Sequence, residues 1–439
     1  MTGSRVPVLL VAIGVLLAAI AGASFFATGD GGGGGAAPAP SAARSSAPSA
    51  LDELIYRAQE TLRRTPADAA LWAQLGAAYV EQARITGDPS YYGLSQGALE
   101  RSLETAPQDN GEALIGLGQL ANARHDFTAA KDYGEQARVL RPYTGDVFGV
   151  LADAYTQLGR AQDATAAVDA MLGLEPGLGA FSRASYELEL RGRVDEARGA
   201  MERALSSAAS PEDVAFCRYY LGELAWNSGD VAGAATQYDA GLAAAPQNIA
   251  LAQGRAKVDW ARGRVDEALA AYRTITDRAP LPQYLLEYGE LLESAGRSAE
   301  ATGQYEVLTV QQQLYAAQGS TDDQVAALVA ADHGDAAEAL ALAEAEWARR
   351  QSVFSADALA WALHVNGRDA EALPYAERTT ALGGTNAGWS FHRGMILAAL
   401  GRRDEALAAL DEALRTNPNF NPLQAPVARS TIATLESDR

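Results

Sequence analysis

A repeat of about 34 residues runs through most of the chain and limits what it can fold into. Its first mark is a glycine that recurs with steps of 33 to 38 residues, at Gly159, Gly192, Gly229, Gly263, Gly296, Gly334, Gly367 and Gly401. An alanine follows each of these glycines five residues later, and six prolines from Pro107 to Pro280 recur with steps of 34 or 35 residues. Such a period is typical of a solenoid, in which each repeat is one supersecondary unit.

Each mark of the repeat has a physical role in a pair of helices. The glycine can adopt the left-handed backbone conformation that ends a helix. Acidic residues follow it, as at Asp266 and Glu267, and they suit the positive end of the next helix. The small alanine lets two antiparallel helices approach closely, and the proline ends the second helix. Because no run of alternating β-branched residues occurs from Leu51 onward, the pattern predicts an all-α chain of helix–turn–helix units.

The residues within the repeat match the signature of a known family. Trp72, Leu75, Gly76 and Tyr79 fit its first helix, and a nearly regular copy is found at Phe148, Leu151, Tyr155, Gly159, Ala164 and Pro176. At these positions the chain resembles tetratricopeptide-repeat proteins. The resemblance implies about ten units between Ala69 and Phe420, stacked into a right-handed superhelix. It also implies that the first helix of each unit lines a concave face, where a partner's extended peptide or helix binds.

The sequence also indicates a cap at each end of the array and two units that depart from the regular repeat. We expect residues 51–68 to form an N-terminal capping helix, 69–420 the repeat array and 421–439 a C-terminal cap, since terminal units need a polar cover. His125 stands where a turn glycine is expected. An insertion at 85–94 is expected to lengthen the first turn, and its two tyrosines, Tyr91 and Tyr92, are expected either to fill this loop or to form an exposed contact.

The first 50 residues differ in composition from the array. Val8 to Ala27 contains no charge, is long enough to cross a bilayer as a helix, and follows Arg5 with no further Lys or Arg until Arg44. This asymmetry predicts that residues 1–27 form a single hydrophobic helix that anchors the chain in a bacterial membrane, with the body outside the cytoplasm. The alternative is a signal peptide cleaved near Ala23, which would release a secreted protein. Residues 28–50, rich in Gly, Pro, Ala and Ser, are predicted to be a flexible linker.

The amino-acid composition excludes several classes of function. The formal net charge of −20 and the pI near 4.7 argue against nucleic-acid binding, which needs a basic surface. Cys217 is the one cysteine, so an intramolecular disulfide and a cysteine zinc site are excluded. The four histidines are widely spaced in sequence, and the chain contains no recognisable enzyme motif. We therefore expect no metal, no cofactor and no catalysis.

The family register places a set of aromatic and acidic residues on the concave face of the central units. They are Tyr186, Glu189, Tyr219, Glu223, Trp226, Asn227, Gln253, Lys257, Trp260, Glu290 and Glu293. This surface suits a peptide with apolar anchors and basic side chains. A smaller set comprises Phe354, Asp357, Trp361, His364 and Phe391. The alternative for the aromatic residues is packing between repeats, and the register alone does not decide between the two.

These observations favour a non-enzymatic scaffold that binds a protein partner through its concave face on the extracytoplasmic side of a bacterial membrane. A self-associating structural protein of the cell envelope is the alternative, and an enzyme accessory subunit is less favoured. The clamp of lysines, arginine and asparagines by which some family members hold a C-terminal carboxylate is also disfavoured, because Lys257 is the one basic residue in the central set.

Overall fold

The computed structural model describes residues 50–86, 88–319 and 323–437, which form 22 helices and no strand. The helices are α1 (Ala50–Arg64), α2 (Ala69–Thr86), α3 (Ser90–Thr105), α4 (Gly111–Ala123), α5 (Phe127–Leu140), α6 (Gly145–Gln157), α7 (Ala161–Leu174), α8 (Leu178–Leu190), α9 (Val194–Ser206), α10 (Pro211–Asn227), α11 (Val231–Ala244), α12 (Ile249–Ala261), α13 (Val265–Arg278), α14 (Pro282–Ser294), α15 (Ser298–Ala317), α16 (Asp323–His333), α17 (Ala336–Arg349), α18 (Val353–Val365), α19 (Asp369–Arg378), α20 (Ala387–Ala399), α21 (Arg403–Thr416) and α22 (Gln424–Ser437).

Helices α2 to α21 pair in chain order as ten hairpins, from hairpin 1 (α2–α3) to hairpin 10 (α20–α21). The buried alanines of the repeat, such as Ala164, Ala268 and Ala406, lie where the two helices of a hairpin approach. Apolar clusters then join one hairpin to the next, as in the core shared by hairpins 6 and 7 around Tyr272 and Tyr288. The predicted all-helical solenoid of about ten hairpins is therefore confirmed.

The turn within a hairpin depends on one residue with a positive φ angle. Seven of the eight predicted glycines have φ between 71° and 78°, and His125 takes the same conformation in hairpin 2 at φ 63°. Gly334 is the exception, so its predicted left-handed conformation is wrong. The turn there has two residues between His333 and Ala336 instead of three, and this shorter link does not need a left-handed residue.

Both predicted caps are helical. Helix α1 covers hairpin 1 through Ile55 and Leu62, and α22 covers hairpin 10 with the buried Ala428. The predicted lengthening of the first turn is wrong, and of the two alternatives for Tyr91 and Tyr92 the structure favours packing over an exposed contact. Most of the insertion extends α2 and α3 rather than the turn between them, and both rings are half-buried.

The predicted anchor at 1–27 and most of the linker at 28–50 lie outside the described residues. Within the part of the chain that the structure describes, no helix combines the length and hydrophobicity needed to span a bilayer.

The array folds back on itself, so that hairpins 8–10 pack against hairpins 3–5. Each contact joins two hairpins that are five hairpins apart along the chain, and backbone atoms of both hairpins take part in it. A Cβ atom placed on Gly159 would lie 2.3 Å from the carbonyl oxygen of Gln351, and one on Gly192 would lie 2.3 Å from that of Gly383. One on Gly229 would lie 2.8 Å from the backbone oxygen of the residue that ends α21. These turns can touch the later hairpins because the glycines have no side chain.

Side chains complete this closure. Leu190 of hairpin 4 shares a buried apolar cluster with Phe354 of hairpin 9 and Trp389 of hairpin 10, and the last two rings meet edge to face at 5.6 Å. The buried guanidinium of Arg350 donates to Gln157 Oε1 at 2.8 Å across 193 residues of sequence. The inner face of the central hairpins is thus partly covered by the chain's own C-terminal hairpins.

Candidate functional site

The candidate site is built on the first helices of hairpins 5, 6 and 7, which are α10, α12 and α14. Glu223 and Lys257 are one repeat apart, as are Trp226 and Trp260. Equivalent positions of successive hairpins face the same side of a solenoid. The repeat therefore stacks a charged pair next to an aromatic pair.

The charged pair is a hydrogen-bonded ion pair with little access to solvent. Lys257 Nζ donates to both carboxylate oxygens of Glu223 at 2.8 Å, and the Tyr238 hydroxyl donates to Oε1 at 2.5 Å. The ammonium also lies 5.2 Å from the ring centre of Trp226, where the ring's negative face attracts a cation. Every charge in this pair has a partner, as buried charges require.

Two further carboxylates extend the site beyond this pair. Glu287 Oε2 accepts hydrogen bonds from Gln253 Nε2 at 2.6 Å and from the Tyr272 hydroxyl at 2.9 Å. Burial raises the pKa of Glu287 above its ordinary value, although the charge of Lys257 and the two hydrogen bonds oppose the shift. No Lys or Arg is paired with Glu287 among the described residues.

Glu290 is also largely buried. Its Oε2 accepts from Asn421 Nδ2 at 3.1 Å, and its Oε1 lies 3.5 Å from His333 Nε2. Burial raises the pKa of Glu290, while the contacts with His333 and Asn421 oppose that shift. Burial lowers the pKa of His333, but Glu290 and other acidic groups near the imidazole raise it by more. The pKa of His333 therefore lies above its ordinary value.

The aromatic and charged groups surround one cavity of about 290 Å³. Six residues of the predicted groove line it, namely Glu223, Trp226, Asn227, Lys257, Trp260 and Glu290. The rings of Trp226 and Trp260 are 6.4 Å apart between centroids. The surface predicted as a groove is therefore, at this place, the inner wall of a partly enclosed cavity.

The C-terminal region supplies the opposite wall. Asn386, Asn417, Asn419, Phe420, Asn421 and Gln424 all line the cavity. Asn417 Nδ2 donates to the backbone carbonyl of Trp226 at 2.9 Å, so this wall is fixed to the central hairpins. Sequence reasoning missed these residues, and it also missed Tyr272 and Glu287. The dense run of asparagines and prolines at 417–422 was the one local signal that this segment differs from an ordinary turn.

The other residues of the predicted groove lie elsewhere. Glu189 accepts from Asn227 Nδ2 at 3.0 Å, and Tyr186 packs against the cluster that joins hairpins 4, 9 and 10. Tyr219 is buried in the core of hairpins 5 and 6, which agrees with the alternative of packing between repeats and not with a place on an accessible face. Glu293 remains 42% exposed outside the cavity and accepts from the Tyr305 hydroxyl.

The smaller predicted set lies mostly in the interior. Phe354, Asp357, Trp361 and Phe391 are buried, and His364 pairs with Asp369. The imidazole Nδ1 of His392 lies 2.9 Å from Asp357 Oδ1, and its ring stacks on Trp361 at 4.2 Å. Phe354, Trp361 and Phe391 thus pack in the interior of hairpins 9 and 10 rather than on a concave surface. In the described residues, no group of three or more His, Cys, Asp or Glu side chains could hold a metal ion.

Family models of the tetratricopeptide repeat match residues 181–249, 254–317 and 387–420. These ranges cover hairpins 4 to 7 and hairpin 10. Within these ranges the chain consists of tetratricopeptide repeats. No curated protein matches its sequence.

Several solved structures are similar to the chain. A thermophilic tetratricopeptide-repeat protein of Thermus thermophilus is 19% identical over 48% of this chain and 98% of its own, with a TM-score of 0.36. A tetratricopeptide-repeat protein from Parabacteroides merdae is 18% identical over 59% and 98%, with a TM-score of 0.35. A chain of the APC/C hetero-tetramer Cut9–Hcn1 is 12% identical over 88% and 90%, with a TM-score of 0.40. Nothing about function follows from likeness at this level.

Proposed function

We propose that this protein is a non-enzymatic scaffold that binds a partner protein on the extracytoplasmic side of a bacterial membrane. Tetratricopeptide-repeat proteins generally mediate protein–protein interactions. The uncharged run from Val8 to Ala27, with its flanking charge asymmetry, supports a membrane anchor. The convergence of six predicted residues on one cavity supports a binding site at hairpins 5–7.

The dimensions of the cavity define how a partner would be held. A cavity of about 290 Å³ is at the lower end of the range for ligand pockets, roughly 300–1,000 Å³. It suits one side chain rather than a whole helix. The partner's peptide or helix would therefore lie across the mouth of the cavity and insert a single anchor.

Affinity capture from solubilised bacterial envelopes tests this function, with the full-length chain as bait. Trp260→Ala removes a cavity-lining ring that is only half-buried, so the fold should survive. Tyr143→Ala is the matched control, because Tyr143 is 84% exposed and lies outside the cavity. A partner retained by wild type and by Tyr143→Ala but lost by folded Trp260→Ala supports the proposal. A partner retained equally by all three contradicts it.

One observation favours self-association as a second candidate function. Val307, Val310 and Leu314 lie on one face of α15 and are 41%, 54% and 53% exposed. An apolar stripe at this helical spacing normally packs against another element. Sedimentation velocity over a range of protein concentrations would show concentration-dependent association that Leu314→Glu abolishes. A monomer at every concentration would exclude this candidate.

A further inference from the structure

The cavity carries more negative than positive charge. Among the side chains that line it are three carboxylates, from Glu223, Glu287 and Glu290, and one ammonium, from Lys257. Lys257 is engaged by both oxygens of Glu223. Glu287 and Glu290 therefore face the cavity without a lysine or arginine of their own among the described residues.

The existing partners of these two carboxylates are mostly neutral. Gln253 and Tyr272 donate to Glu287, and Asn421 donates to Glu290. The contacting partner that can carry a positive charge is the imidazole of His333, which approaches Glu290 at 3.5 Å. Burial raises the pKa of both carboxyl groups despite these contacts. A second cation in the cavity would favour their ionised forms, because an opposite charge nearby stabilises a carboxylate.

The aromatic wall shows how the site would hold such a cation. Lys257 already lies on the ring of Trp226 with its charge paired to Glu223. One repeat further along, Trp260 offers a second indole, which is half-buried and lines the same cavity as the carboxylates of Glu287 and Glu290. The negative face of an indole attracts a cation, and more strongly where water is excluded, so the second indole adds to the attraction of the carboxylates.

We propose that this cavity binds one organic cation, an alkylammonium or guanidinium group, between Trp260 and the carboxylates of Glu287 and Glu290. The group can come from a lysine or arginine side chain of a partner or from a free small amine. The first source rests on the proposed scaffold function, whereas the second is independent of it. A single such group also matches the size of the cavity.

Calorimetric titration of the full chain tests the proposal with two isosteric probes, Nα-acetyl-arginine amide and Nα-acetyl-citrulline amide. They have similar shapes but differ in charge. We expect saturable binding of the arginine probe and at least about tenfold weaker binding of the citrulline probe. Equal binding of the two probes, or no saturable binding of the arginine probe, would overturn the proposal.

Two variants locate the binding. Glu290→Gln should weaken binding of the arginine probe by about tenfold or more, and Trp260→Leu should do the same. Glu267→Gln is the matched control, since Glu267 is exposed on the neighbouring helix α13 and lies outside the cavity lining. It should change the affinity less than about twofold. Circular dichroism checks that each variant folds, and Glu287→Gln replaces Glu290→Gln if the latter does not.

The titration and the capture experiment can fail separately. Binding of the arginine probe without any captured partner would leave the cation site standing and contradict the scaffold. A captured partner that depends on Trp260, together with no binding of the arginine probe, would support the scaffold and overturn the cation site. A basic peptide that binds more tightly than the blocked arginine would identify a partner side chain as the natural source.

Discussion

Seven of the eight turn glycines share one backbone conformation but differ in their surroundings. Gly192 packs against the backbone of Gly383, whereas nothing lies within 4 Å of a Cβ atom placed on Gly263. We expect Gly263→Ala to cost about 1–2 kcal/mol because of its positive φ. Gly192→Ala should cost about 1–3 kcal/mol more, because its methyl group would clash with a carbonyl oxygen. Thermal unfolding of the two variants measures the difference, and equal losses of stability would contradict the packing of hairpin 4 against hairpin 9.

The sequence repeat was sufficient to predict the conformation of seven of these eight glycines, but not their contacts. Helix–turn–helix geometry needs a left-handed residue at a fixed position, and this requirement also explains why His125 adopts a positive φ. Which glycines meet a carbonyl oxygen depends on a hairpin five repeats further along. No local pattern contains that information.

Glu189 gives a prediction for the pH dependence of stability. Burial raises its pKa to about 7 from an ordinary value of 4.5. Between these two values the folded chain holds more protons than the unfolded chain, so the free energy of unfolding should fall as the pH rises. We expect Glu189→Gln to weaken this fall and to be about 1–3 kcal/mol more stable than wild type at pH 8.

Melting curves at pH 5 and pH 8 measure the effect of Glu189→Gln. Glu293→Gln serves as the comparison, because Glu293 is 42% exposed. If wild type and Glu189→Gln lose the same stability between the two pH values, Glu189 does not have the raised pKa that burial gives it.

At the scale of elements, α22 acts as a cap because one of its faces completes the core of hairpin 10. Ala428 is fully buried beside Leu410 and Phe391, whereas the adjacent Val427 is 42% exposed. We expect Ala428→Glu to detach α22, because an unpaired buried charge costs about 3–5 kcal/mol. Val427→Glu should be tolerated. Hydrogen exchange of the α22 amides reports the difference, and unchanged protection in Ala428→Glu would mean that α22 does not dock there.

The helices themselves could largely be predicted from the sequence, since glycine, alanine and proline mark every regular hairpin. The insertion at 85–94 was misjudged for an identifiable reason. Gly, Pro and Asp within it resemble a loop, but α2 continues to Thr86 and α3 begins at Ser90. Contact between the rings of Tyr79 and Tyr91, at 6.0 Å, helps to bury the segment.

In the molecule as a whole, the packing of hairpins 8–10 on hairpins 3–5 converts part of the predicted groove into a cavity. The register placed Glu223, Trp226, Lys257 and Trp260 on one face, and they do line one wall. The opposite wall could not be predicted. Asn417 reaches Trp226 across 191 residues, and small rotations between successive hairpins, summed over the array, decide whether such residues meet.

The hydrogen bond between Gln157 and Arg350 offers the most direct test of this closure. Both side chains are buried, and Arg350 Nη1 donates to Gln157 Oε1 at 2.8 Å between hairpins 3 and 8. A double-mutant cycle with Gln157→Leu and Arg350→Met removes the effects of the other partners of Arg350. We expect a coupling of about 1.5–3 kcal/mol in the free energy of unfolding, as for a hydrogen bond to a charged group. Additive losses, within about 0.5 kcal/mol, would contradict the packing of hairpins 8–10 on hairpins 3–5.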